Sequence, residues 1–124
     1  MTIKNVKCKG EFDYDYKHDI LFFKSAERDY VKSLELDNVV LDLDREGFIV
    51  GIQIFEASEF LRMSKSVLLK IPQWSFEAKF IDGKIEVRLM FQIVIRNKVI
   101  KNNPIIIQQT SEKLPNSRLV CEVR

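Results

Sequence analysis

Acidic side chains gather at two places in this sequence. Asp13, Asp15 and Asp19 fall within seven residues, and Asp42-Leu43-Asp44-Arg45-Glu46-Gly47 sets carboxylates at alternate positions before a glycine. Carboxylates near a turn can do acid and base work or hold Mg²⁺, and acids at the first, third and fifth places with Gly sixth begin a calcium loop. The twelfth place of that loop is Gln53, which offers no bidentate carboxylate, and its flanks alternate as strands where helices are needed. Asp13 and Asp15 would share one strand face about 7 Å apart, with no base, nucleophile or oxyanion donor identifiable beside them. Asp15, Asp19, Asp42 and Asp44 are therefore expected to stabilise turns by accepting backbone amide hydrogen bonds, with Gly47 supplying a positive φ. His18, the single histidine, stands among charged residues in the same turn and is expected to be exposed rather than catalytic. The four glycines form no phosphate-cradling run. No catalytic, cofactor-binding or metal-ligating residue is expected, and the chain reads as a non-enzyme.

Cys8 and Cys121 form no C-x-x-C pair, so neither a zinc site nor a redox motif is written in the sequence. Each is expected to be a small buried hydrophobe, and a bridge between them would require Cα atoms within about 7 Å. The net charge of +2 conceals an asymmetry: residues 1–62 hold 9 Lys/Arg against 13 Asp/Glu, and residues 63–124 hold 11 against 5. Such a split suits an anion-binding face, or halves that attract one another or a second copy. Arg96, Lys98 and Lys101 are the candidate nucleic-acid contacts, but the nearby aromatics Trp74, Phe76, Phe80 and Phe91 fall on the apolar side of their hairpin. The basic side is thus left without stacking platforms.

The elements that must position these residues are mostly strands. At 124 residues, with 46% hydrophobic and 31% charged residues, the chain suits one core and excludes disordered or low-complexity readings. No apolar run approaches the roughly 18 residues of a membrane span, and the N-terminus does not read as a signal peptide, so a cytoplasmic protein is expected. Period-two alternation predicts strands over 11–16, 20–24, 30–36, 39–43 and 48–54, then a short helix over 56–63. Asp82-Gly83 predicts a tight hairpin pairing Phe80 with Ile85, Ala78 with Val87, Phe76 with Leu89 and Trp74 with Phe91. On its other face Lys79 meets Glu86 and Glu77 meets Arg88. A long strand over 84–96 should turn near Asn97-Lys98, a break is expected at 102–104, and further strands are expected over 105–109 and 118–123.

Tyr14-Asp15, Asp19 and Leu21-Phe22-Phe23, followed by Asp42, Asp44, Gly47, Val50-Gly51-Ile52-Gln53-Ile54 and Ala57-Ser58, resemble a family of small prokaryotic proteins known as a domain of unknown function. The resemblance covers about residues 11–62 and departs at Phe22, where the family usually has Tyr, and at Gln53, where it usually has Glu. It implies a β-meander closing into a helix and, from members that look like the small partner of a toxin, protein binding. The expected architecture is a strand-dominated α+β single domain over 1–124: two antiparallel meanders flanking one short helix around one core, with 11–62 family-like and 73–124 a β-rich extension. The expected function is a non-catalytic interaction module, a homodimer or the partner of a small toxin-like protein. Nucleic-acid binding by the basic second half is the alternative.

Overall fold

The computed structural model describes residues 3–102, 105–110 and 113–123; of residues 93–95, 98–102, 105 and 108 only the backbone is described. Its elements in chain order are β1 (Lys4–Asp15), β2 (Ile20–Ser25), β3 (Tyr30–Leu36), β4 (Val39–Asp44), β5 (Ile49–Phe55), α1 (Ala57–Leu61), α2 (Lys65–Lys70), β6 (Trp74–Ile81), β7 (Lys84–Ile95), β8 (Lys98–Asn102), β9 (Ile105–Gln109) and β10 (Ser117–Val123). All ten strands join one mixed sheet in the order β3-β4-β5-β2-β1-β10-β6-β7-β8. β9 pairs with β7 in the register that β8 begins, Phe91 facing Asn102 and Arg88 facing Ile105.

The strand-dominated class is as expected, but the arrangement is not two meanders around one helix. β2 pairs with β5 rather than β3, so the connection over residues 26–29 crosses the ends of β5 and β4. That is about 14 Å at ordinary strand spacing, which so short a segment covers only when nearly extended. Arg28 holds the crossing in place by pairing with Asp44 at the end of β4. β1 also begins seven residues earlier than expected, and its Lys4–Gly10 stretch runs parallel to β10. Two helices replace the expected one, because Arg62 takes a left-handed conformation (φ 55°) that closes α1, and Ser64 starts α2 afresh by accepting the Val67 amide on its hydroxyl.

The β6–β7 hairpin has the expected register, Trp74 opposite Phe91 through Phe80 opposite Ile85. Asp82 and Gly83 both take positive φ (49° and 81°), matching the twist of the flanking strands. The β7 turn falls at Arg96-Asn97, again both at positive φ. On the outer face Lys79 stands opposite Glu86 and Glu77 opposite Arg88, as expected, but the ion pairs run to other partners. Lys79 reaches Glu77 on its own strand at 3.1 Å and Arg88 reaches Glu86 at 3.7 Å, while Glu77 takes Arg118 from β10 at 2.7 Å. Glu77 thus divides its two oxygens, Oε1 to Lys79 and Oε2 to Arg118.

From β3 to β7 one face of the sheet is buried, with Leu34, Leu41, Ile52, Phe23, Cys8, Cys121, Phe76 and Leu89 in successive strands. The Phe23 ring on β2 lies 5.3 Å from Trp74 and 5.9 Å from Phe76 on β6, although β1 and β10 stand between their strands. A flat sheet would hold those strands about 14 Å apart, so the sheet curls around its own inner face. Small inward residues at the centre, Cys8, Gly10 and Cys121, leave the room that the large rings fill from either side.

Candidate functional site

The β1–β2 turn and the start of α1 are fastened by one carboxylate. Asp19 adopts φ 57°, which brings its carboxylate back against Tyr14 and across to Ser58. Its Oδ1 accepts the Tyr14 hydroxyl at 2.6 Å and the Ser58 amide at 3.0 Å, Oδ2 accepts the Ser58 hydroxyl at 2.6 Å, and its carbonyl accepts the Ala57 amide at 3.0 Å. Burial raises the Asp19 carboxyl's affinity for a proton, yet the hydrogen bonds from Ser58 and Tyr14 outweigh it and hold the group below the usual carboxylate range. Burial and the same contact push the Tyr14 phenol well above its ordinary value. Asp15 accepts the His18 amide at 3.0 Å and faces His18 Nδ1 at 2.8 Å, and these contacts lower its carboxyl. Asp13 is exposed and stands apart from both.

Asp44 organises the second turn. Its Oδ1 accepts the Glu46 and Phe48 amides, each at 2.9 Å, while its Oδ2 takes Arg28 at 2.6 Å. The Arg28 guanidinium lies 4.7 Å from the Phe48 ring centre, and the carboxylate raises its already high proton affinity. Gly47 has φ 88°, and a side chain there would meet Pro115. Asp42 points elsewhere: its Oδ1 accepts the Ser33 hydroxyl at 2.8 Å on the outer face. In the β6–β7 turn the Asp82 amide donates to Asn116 Oδ1 at 3.0 Å, and Gly83 carries the adjacent turn position. Arg96 is exposed; the side chains of Lys98 and Lys101 lie outside the described residues.

Between these two turns the outer face holds a groove of about 440 Å³ floored by Phe22, Gly51, Gln53 and Asp42 and walled by Lys24, Arg28, Asp29 and Tyr30. Asp42, Gly51 and Lys24 are register partners across β4, β5 and β2, as are Val40, Gln53 and Phe22. Gly51 keeps the floor low, because a Cβ there would meet Asp42 Oδ2 at 2.8 Å. The groove offers aromatic surface and charges of both signs, with no Ser, Thr, Cys or His in its lining. It suits contact with an amphipathic segment better than covalent chemistry. Beside it β3 forms the end of the sheet, pairing only with β4 among the described residues and leaving Tyr30 60% and Val31 59% exposed.

Residues 11–58 match the family described as Protein of unknown function (DUF2283). The match covers the residues that carry the resemblance up to Ser58, including the whole Tyr14–Asp19–Ser58 fastening. Phe22 and Gln53, the two departures from the family pattern, are neighbours across β2 and β5 and share the groove floor. A Methanosarcina mazei protein named "Putative hypoxanthine phosphoribosyltransferase" is 26% identical over 86% of this chain and 87% of its own. An uncharacterized protein of Methanocaldococcus jannaschii is 39% identical over 50% of this chain and 53% of its own. No solved structure matches.

Among the described residues no three His, Cys, Asp or Glu side chains gather as a metal site would, and no helix is long and apolar enough to cross a membrane. The Arg28–Asp44 pair was not foreseen; its one sequence signal is a lone Arg in the short segment after β2. Ser58 was named only through the family pattern, since nothing local ties it to Asp19.

Proposed function

We propose that this protein is a non-catalytic interaction module that pairs with a second copy of itself through β3, adding strand to strand at the end of the sheet. The observation that carries this reading is the free edge of β3, seven residues long, with exposed Tyr30 and Val31 beside an amphipathic groove. The hairpin closes with Leu36 opposite Val39, so the amides and carbonyls of Ser33 and Glu35 point away from β4, toward a partner. An antiparallel copy keeps the buried faces of both sheets on one side, so Leu34 and Leu36 gain cover rather than solvent.

Replacing Glu35 with Pro removes an outward amide without touching the β4 ladder. Light scattering on the full chain should show a dimer that becomes a monomer in Glu35→Pro. A wild-type monomer at high concentration overturns the reading. A strand from a small toxin-like partner, which the family resemblance implies, would use the same edge.

The alternative, nucleic-acid contact, draws on the exposed Arg96 at the β7–β8 turn. Lys79, Arg88 and Arg118 are tied to Glu77 or Glu86, which leaves less free positive charge on that face than the count of basic residues suggests. The name of the Methanosarcina relative implies phosphoribosyl transfer to a purine. The glycines of this chain stand singly at Gly10, Gly47, Gly51 and Gly83, without the run of backbone amides that cradles a phosphate, so the likeness supports a common scaffold here rather than that reaction.

A further inference from the structure

The two cysteines, 113 positions apart in sequence, are partners in space. Cys8 on β1 and Cys121 on β10 face each other directly in the parallel ladder, and both side chains point to the buried face. Strand neighbours stand about 4.8 Å apart, inside the Cα range a disulfide accepts. Space for the sulfurs comes from Gly10, where a Cβ would sit 3.1 Å from Cys121 Sγ. Cys8 is the more accessible of the two, 9% exposed against 0%.

We infer that Cys8 and Cys121 form a dithiol that is oxidised by small disulfides to an intramolecular bridge across the β1–β10 seam. In the first step the Cys8 thiolate sulfur attacks one sulfur of the small disulfide, whose S–S bond breaks and whose other half leaves as a thiolate. In the second, the Cys121 sulfur attacks the Cys8 sulfur of the mixed disulfide and gives up its proton, expelling the remaining half as a second thiol. Two protein thiols lose two electrons, and one small disulfide becomes two thiols. The bridge falls where it has most to hold, because among the described residues β1 with β10 is the one ladder joining the five strands of the first half to the strands of the second.

Oxidised glutathione applied to the folded full chain, followed by intact-mass and thiol analysis, tests this. The expected product lacks both free thiols, is lighter than the reduced chain by two hydrogens, yields one peptide linking the segments around Cys8 and Cys121, and melts at a higher temperature until reduced. Cys121→Ser should stop at a glutathione adduct on Cys8. If the wild-type chain keeps both thiols while the same reagent oxidises it in denaturant, or if it carries a stable glutathione adduct, the inference is overturned. Neither result depends on whether a variant folds.

Discussion

Asp19 satisfies four donors at once: Tyr14 and Ser58 hydroxyls and the Ser58 amide at its carboxylate, and the Ala57 amide at its carbonyl. An amide in its place would turn an NH₂ toward one of these donors. Asp19→Asn is therefore expected to lower stability by about 1.5–3 kcal/mol, the range for hydrogen bonds to a charged group, measured by urea unfolding. Tyr14→Phe removes one donor and leaves the rest, so a smaller loss, about 1 kcal/mol, is expected. The folded Asp19 carboxyl lies below its unfolded value of 3.8. Its contribution is therefore complete above about pH 4 and is lost as pH falls through the lower folded value. Urea titrations across acid pH should show a shallower loss in Asp19→Asn than in the wild type, and parallel curves would mean that the carboxylate does not carry the effect. The turn position of Asp19 was legible in the sequence, but its bond to Ser58 was not. Nothing in a chain read by local period reports on a contact 39 residues away.

Glycines at the ends and middles of strands separate two physical causes. Gly83 is needed for its backbone, since φ is 81° and among the described residues an added Cβ would find only Thr110 O at 3.5 Å. Gly83→Ala should cost the left-handed strain alone, about 1–2 kcal/mol, with the β6–β7 register unchanged. Gly10 has ordinary backbone geometry, but a Cβ there would run into the Lys24 carbonyl on β2. Gly10→Ala must push β1 from β2, and a loss at or above the upper end of about 1–3 kcal/mol is expected in thermal or urea unfolding. A milder effect at Gly10 than at Gly83 would show that the ladder gives way easily. The same contrast explains what could be read in advance. The β6–β7 hairpin announces itself through Asp-Gly and eight residues of alternation. Lys4–Gly10 does not, because the positions it buries are small and few, which is what a tightly curled centre demands. α2 was missed for a similar reason: it buries only Leu68, too little for a helical stripe to stand out.

At the scale of the molecule, the family-like half and the basic extension meet through the β1–β10 ladder and through aromatic packing across it. Phe23 supplies the first half's part of that packing and Trp74 and Phe76 the second's. Trp74 Nε1 is buried without a hydrogen-bond partner among the described residues, so the indole is held there by contact with Phe23 and Phe91 rather than by a polar tether. Its emission therefore reports on the packing between halves, whereas far-UV dichroism reports on the strands of both. Removing the Phe23 ring leaves a cavity at their common core, and Phe23→Ala is expected to cost about 3–5 kcal/mol. Two outcomes distinguish how the halves depend on each other. If the sheet stands as one cooperative unit, Trp74 fluorescence and dichroism will still change together at a lower midpoint in Phe23→Ala, because neither half retains its inner cover alone. If the extension holds without the first half, the fluorescence change will separate from the loss of strand signal. Coincidence is the expected result, since the buried face runs unbroken from Leu34 on β3 to Leu89 on β7 and the large rings on each side fill the space left by the small residues at the seam.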